Sequence, residues 1–311
     1  MKNRNDVHPE LIPIMDGLPI VDLHKREIPE GFELPVIESS PLVKTTSRMI
    51  QGPDSELLMK IYEPVDRTEA PLPALLWIHG GGYILGHPDV DDPLCEQFVL
   101  RANCVVASID YRLAPEHPYP AAIEDCYAGL KWIADSAEEW NIDMARLAIG
   151  GASAGGGLTA ALALLARDRG GPKLIFQMPL YPMIDDRNLT PSSFEIHREN
   201  FPRVWNREMN KLAWSMYLGA AANDEIPPYA AAARARDLTG LPPTYTCVGV
   251  LDPFRDETIE YATRLAQADV PVEFHLYPGC YHGFDGIYSD TAVGARARNE
   301  YIDAMARALN P

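Results

Sequence analysis

Residues 147–166 read LAIGGASAGGGLTAALALLA. Leu147–Ile149 is a short apolar run of the kind that forms a buried strand. Leu158–Arg167 is rich in Ala and Leu and ends at Gly170-Gly171, a usual helix stop. Between them lies Gly151-Ala152-Ser153-Ala154-Gly155, a G-x-S-x-G pentapeptide on a predicted strand-to-helix turn. A serine on such a turn is held in a strained backbone conformation, and the flanking glycines let neighbouring chain come close. The helix that follows points its free N–H groups at any negative charge that develops there.

Outward from this turn, the same short apolar runs recur at Ala74–Ile78, Cys104–Ile109, Leu174–Met178, Thr244–Val250 and Val272–Tyr277. Helical patterns lie between or after them, at Ala121–Ser136, Glu257–Ala268 and Ala295–Leu309. In the first of these, Ile123, Tyr127, Leu130 and Ile133 share one face. Strand and helix in repeated alternation mean an α/β fold, with a mostly parallel central sheet and helices on both faces. Two stretches break the alternation. Residues 1–48 are Pro-rich and offer no strand before Ser39. Residues 184–228 are charged, carry Trp205 and Trp214, and turn helical through Arg207–Leu218. Both are expected to belong to a helical cap over the sheet's C-terminal edge, leaving 49–183 and 229–311 as the core.

The chain has 311 residues, 47% of them apolar and 23% charged, so it can bury a large core without disulfides or metal. Lys and Arg number 27 against 44 Asp and Glu, a net charge of −17. That excess repels phosphate backbones and anionic lipid, which argues against nucleic-acid partners. The five cysteines, Cys95, Cys104, Cys126, Cys247 and Cys280, form no CxxC pair, so buried thiols in a reducing cytoplasm are expected. The acidic N-terminus lacks a continuous apolar core and does not read as a secretory signal. No apolar run approaches the ~20 residues of a membrane span, so no membrane insertion is expected. A homodimer is compatible with the sequence.

A nucleophilic serine needs a base and a group that orients the base. Asp252 directly follows the strand Thr244–Val250, and His282 lies just beyond Val272–Tyr277, so both fall on the strand edge that carries Ser153. Asp256 is better read as a carboxylate in the first turn of the next helix. His275 falls inside its strand and reads as side-facing. After Ala74–Ile78 comes His79-Gly80-Gly81-Gly82-Tyr83, whose glycines expose backbone N–H groups beside the serine. Gly81, Gly82 and the amide of Ala154 can together bind the oxyanion of a tetrahedral intermediate. His79 is expected to shape that loop rather than act as a base. The chain order Ser153, Asp252, His282 is the α/β-hydrolase order.

With the further string Asp110-Tyr111-Arg112-Leu113-Ala114-Pro115-Glu116-His117-Pro118-Tyr119-Pro120-Ala121, and Leu241-Pro242-Pro243 before the acid strand, the sequence resembles the hormone-sensitive-lipase-like family of α/β-hydrolase carboxylesterases. The resemblance covers about residues 55–305 and is weakest in the expected cap. It implies Ser153 as nucleophile, His282 as base, Asp252 as its orienting acid, and Gly81, Gly82 and Ala154 as the oxyanion hole. It also implies a cap built from the N-terminal segment and the insertion after Pro182, and no metal or organic cofactor. The implied substrate is a small ester with a short to medium acyl chain. A lactone or amide, or a non-catalytic receptor on the same scaffold, are the other readings. The sequence departs from the family at Ala152, where Asp is common, and at Tyr229-Ala230-Ala231-Ala232, where a Ser-Pro pair is typical. Tyr83 replaces a frequent Phe or Trp and puts a hydroxyl near the mouth, as a substrate contact or a solvent-facing tip. Trp205, Trp214, Phe194, Phe201 and Tyr217 are candidate pocket walls, or the apolar glue of the cap. Cys280, close to His282, is either packed or redox-sensitive.

Overall fold

The computed structural model describes residues 2–26, 37–223, 225–286 and 290–311. In chain order the elements are α1 (Ile12–Gly17), β1 (Val43–Gln51), β2 (Glu56–Pro64), β3 (Leu72–Ile78), α2 (Asp92–Ala102), β4 (Val105–Ile109), α3 (Ala121–Asp135) and β5 (Ile142–Ala152). They continue with α4 (Ala154–Arg169), β6 (Phe176–Leu180), α5 (Pro191–Glu195), α6 (Arg207–Leu218), β7 (Thr244–Leu251), α7 (Arg255–Gln267), β8 (Val272–Tyr281) and α8 (Ala292–Leu309). The strands form one eight-stranded sheet in the order β1-β2-β4-β3-β5-β6-β7-β8. β2 runs antiparallel to β1 and β4, and every other pairing is parallel.

The central strands are buried on both faces, and their side chains sort by parity. In β3, Ala74, Leu76 and Ile78 join one apolar cluster with α3, α4 and α7, through residues such as Ile123, Leu130, Leu162 and Leu265. Leu75 and Trp77 of the same strand join the opposite cluster with α2 and α8, through Phe98, Val99, Ile302 and Met305. α4 is buried along Ala154–Ala166. A helix enclosed on all sides needs an apolar surface all round, which is why its sequence is Gly, Ala and Leu.

Neither β1 nor β2 follows from apolar runs. β1 is an edge strand whose side chains are mostly exposed. β2 buries Lys60 and Glu63, and each is matched by charge: Lys60 Nζ donates to Asp89 and Asp92 at 2.6 Å, while Glu63 accepts from Lys44 and Arg67. The expected cap boundary at residue 48 is therefore corrected. Residues 43–48 are part of β1 and belong to the sheet. α2 also escapes the apolar-run reading; it carries Pro93 in its first turn and stops at Asn103, which adopts a left-handed conformation.

The N-terminal residues Val7, Leu11 and Met15 share an apolar cluster with Ile196, Phe201 and Val204 from the 184–228 insertion. Asn200 donates to the Lys2 carbonyl at 2.9 Å, and the His8 N–H donates to Gly279 O at 2.8 Å, where the register of β8 on β7 shifts. α6, capped by the Asn206 side chain on the Met209 N–H, lays Ala213, Trp214 and Tyr217 onto the core. Among the described residues no helix is long and apolar enough to cross a membrane.

Candidate active site

Four loops leave the C-terminal ends of β3, β5, β7 and β8, and each carries one part of the site. At the end of β5 the chain turns directly into α4 through Ser153, whose backbone sits at φ 58°, ψ −118°. For a residue with a Cβ this is a strained position, and the surroundings hold it there. The Ser153 N–H donates to Leu180 O at 3.0 Å, and Ser153 O accepts from the Met183 N–H at 3.0 Å. Gly155 must lack a side chain, because a Cβ there would lie 2.0 Å from the Ile78 carbonyl oxygen.

The Ser153 hydroxyl donates to His282 Nε2 at 2.8 Å, and His282 Nδ1–H donates to Asp252 Oδ2 at 2.7 Å. Asp252 is fully buried at the end of β7, and its other oxygen accepts from the Phe254 N–H at 2.8 Å. Two aromatic rings meet the imidazole edge-on, Phe254 at 4.9 Å and Tyr181 at 5.2 Å between centroids. The carboxylate fixes the tautomer, the rings fix the plane, and Nε2 is left free to take a proton from the serine. This relay can activate an oxygen for attack on an electrophile.

The loop after β3 lies against the serine. Gly80 packs on Ser153 and the Ala152 carbonyl, and Gly81 and Gly82 follow at φ 119° and 63°. Among the described residues, the N–H groups of Gly81, Gly82 and Ala154 have no hydrogen-bond acceptor. Unused donors at a helix start and in a glycine loop are what a developing oxyanion requires. His79 is buried and stacks on Tyr111 at 4.2 Å, with Nδ1 donating to Gly80 O at 2.8 Å. Burial lowers its pKa to about 4, so it is neutral at pH 7 and serves to shape the loop.

The aromatic candidates separate. The tip of the half-buried Trp205 indole lies on Gly82, and its ring is 6.2 Å from that of His282, so it lies beside the relay. Tyr83 does not reach the mouth in either of the expected ways. It is buried at 1% exposure, stacks on Tyr217 at 4.0 Å, and donates its hydroxyl to Met183 O at 2.6 Å. Trp214 is likewise not a pocket wall but packs on Tyr83 and Tyr217 inside the cluster. Phe201 and Tyr217 are buried, and Phe194 is exposed beneath the Arg207 guanidinium.

Asp256 lies in the first turn of α7 and accepts from the Ser192 N–H at 2.7 Å, tying the insertion to the core. His275 pairs sideways with Glu273 and Glu300, away from the serine. Cys280 is buried, and burial pushes its thiol up to about 12, which disfavours the thiolate at neutral pH and fits the packed reading. Two buried carboxyls near the relay were not singled out by the sequence. Glu257 accepts from the Ile184 and Asp185 N–H groups, and burial holds it well above the usual range. Asp285 accepts from Tyr181 Oη at 3.3 Å, and burial pushes it up to about 6. The only sequence signal for either was its adjacency to the motifs around Asp252 and His282.

A family model described as the alpha/beta hydrolase fold matches residues 75–286. Esterase LipI of Mycobacterium tuberculosis is 36% identical over 311 aligned residues, covering 96% of this chain and 94% of that protein. The chain belongs to the hormone-sensitive-lipase-like family of α/β-hydrolases. Another relative in the same organism, carboxylesterase NlhH, is 34% identical over 98% of this chain and 94% of its own length. Among solved structures, a bacterial heroin esterase superposes with a TM-score of 0.88 at 37% identity, over 99% of each chain. The family string from Asp110 to Ala121 is scaffold in this member. Tyr111 Oη donates to the His79 carbonyl at 3.0 Å, and Arg112 forks onto the buried Asp125 at 2.8 and 2.7 Å.

Proposed function

We propose that this protein is a serine carboxylesterase that cleaves small esters of short to medium acyl chains through an acyl-enzyme. The observation that carries the reading is the continuous relay from Ser153 through His282 to Asp252, with both hydrogen bonds under 3 Å. Ser153 Oγ attacks the ester carbonyl carbon while its proton passes to His282 Nε2. Asp252 stabilises the imidazolium, and the carbonyl oxygen, now negative, takes the amides of Gly81, Gly82 and Ala154. The intermediate collapses, the C–O bond to the alcohol breaks, and His282 returns its proton to the departing alkoxide. Water then attacks the acyl-serine by the same relay, giving the carboxylic acid and restoring Ser153. No step needs a metal or an organic cofactor.

In this reading the cap is built from residues 2–26, 37–42, 184–223 and 225–228, and the mutual contacts of these segments support treating them as one unit; the part of the expected cap at 27–36 lies outside the described residues. Trp205 limits the space beside the oxyanion loop, which favours compact acyl groups. The buried free thiols fit a reducing compartment such as the cytoplasm. The test is hydrolysis of p-nitrophenyl esters from acetate to palmitate. The fastest turnover is expected between acetate and octanoate, and Ser153→Ala should lower it roughly 10⁴-fold or more. A preference for palmitate would overturn the size assignment, and an active Ser153→Ala variant would overturn the chemistry.

A further inference from the structure

Tyr83 immediately follows the oxyanion glycines, and its own backbone is at φ 66°, a conformation that an aromatic residue seldom adopts. Something must hold it there, and three contacts do. Its carbonyl accepts from the Ala114 N–H at 3.0 Å. Its ring stacks on Tyr217 and tilts against Trp214 at 5.4 Å, both on α6. Its hydroxyl donates to Met183 O at 2.6 Å in a buried setting. The peptide that accepts this bond is tied to the serine. The Met183 N–H donates to Ser153 O, and Ile184 and Asp185 next along the chain donate to the buried Glu257. α4 leaves room for the hydroxyl at Gly157, where a Cβ would lie 2.2 Å from Tyr83 Oη.

We propose that Tyr83 is a positioning residue that fixes the spacing between the oxyanion glycines and Ser153. The chain of contacts runs from α6 through the Tyr83 ring to Gly82, and from the Tyr83 hydroxyl through Met183 to the backbone of Ser153. The Gly81 and Gly82 donors follow β3 whereas the nucleophile follows β5, and this hydroxyl ties one loop to the other through the Met183 peptide. The stabilisation of an oxyanion depends steeply on where its donors sit, so a loop free to drift by a fraction of an ångström loses rate without losing ground-state binding. The phenol acts through the loop and does not touch substrate. Its role rests on the reading of Gly81, Gly82 and Ala154 as the oxyanion hole.

The experiment compares wild type, Tyr83→Phe and Tyr217→Phe on one short ester, with active enzyme counted by fluorophosphonate titration. Tyr217→Phe is the control, since its hydroxyl is buried without a hydrogen-bond partner among the described residues and its ring stays in the stack. Tyr83→Phe should lower kcat about 10- to 100-fold per titrated site, with KM little changed. It should weaken inhibition by hexyl trifluoromethyl ketone, which forms a tetrahedral adduct on serine, by a matching factor. Tyr217→Phe should match wild type in both. Wild-type kcat and ketone affinity in Tyr83→Phe, or a change in KM alone, would overturn the proposal. Should Tyr83→Phe not fold, 4-fluorophenylalanine at position 83 keeps the ring and fills the hydroxyl's space but cannot donate to Met183 O; the same paired loss is expected, and wild-type values would overturn the proposal. Failure of the underlying reading looks different: wild-type enzyme would then bind the ketone no more tightly than Ser153→Ala does.

Discussion

Asp252 and Asp256 lie on successive turns of one loop and helix start, yet their environments assign them different work. Asp252 has one oxygen on His282 and the other on a backbone N–H, and pairs with no Lys or Arg among the described residues. Asp256 accepts from Arg255 and from the Ser192 N–H, so it fastens the insertion. Asp252→Asn should keep the packing but lose the charge and the tautomer control, lowering kcat by ~10⁴-fold as in a comparable serine triad. Asp256→Asn should retain most of the activity in the same assay. Equal losses in the two variants would show that the acid is shared or misassigned. The hydrogen-bonded relay was legible in sequence because Ser153, Asp252 and His282 each lie a few residues or fewer beyond the end of an apolar run. Tyr83 was not legible, because its position after the glycines suggests the mouth, whereas its positive φ turns the ring inward under α6. Nothing in a one-dimensional pattern reports that turn.

At the level of elements, α3, α4, α6, α7 and α8 were readable because each carries one apolar face or an unbroken Ala/Leu surface. β1 and β2 were not, since an exposed edge strand is polar and β2 satisfies buried charge largely through ion pairs with Lys44, Asp89 and Asp92, distant in sequence. The insertion shows the same limit. Its five candidate aromatics were indistinguishable in sequence, and only tertiary packing separates Trp205, over the glycines, from Trp214 and Tyr217, inside the cluster. Trp205 is anchored by its Nε1–H donating to Asn210 at 3.3 Å, and in the proposed reading its ring walls the acyl site. Trp205→Ala should raise the ratio of kcat/KM for octanoate over acetate by about 10-fold, the scale of a methylene or two in an apolar pocket. An unchanged ratio across the p-nitrophenyl series would remove Trp205 from the acyl site.

For the molecule as a whole, the net charge of −17 hides where ionisation matters to folding. Asp91 is half-buried where α2 begins and accepts from Trp77 Nε1 at 2.8 Å, and loss of solvent around its carboxyl pushes it from 3.8 up to about 6. The sign follows from proton uptake. Between those two values the folded chain keeps a proton that the unfolded chain has released, so stability falls as pH rises through the window and is level above it. The difference of roughly 2 pH units corresponds to about 3 kcal/mol. Asp91→Asn removes the titration, so in urea unfolding its stability relative to wild type should improve from pH 4 to pH 7 by up to that amount. A gap independent of pH would mean that Asp91 ionises normally in the fold.

The fold places four loops at one edge of the sheet, the proposed function makes one serine there, Ser153, nucleophilic, and reaction with a fluorophosphonate followed by peptide mass spectrometry measures that directly. One adduct per chain is expected, on Ser153, with ester turnover lost in proportion to labelling and no adduct in His282→Ala on the same timescale. Labelling elsewhere with turnover lost, or full turnover after Ser153 is labelled, would contradict the account.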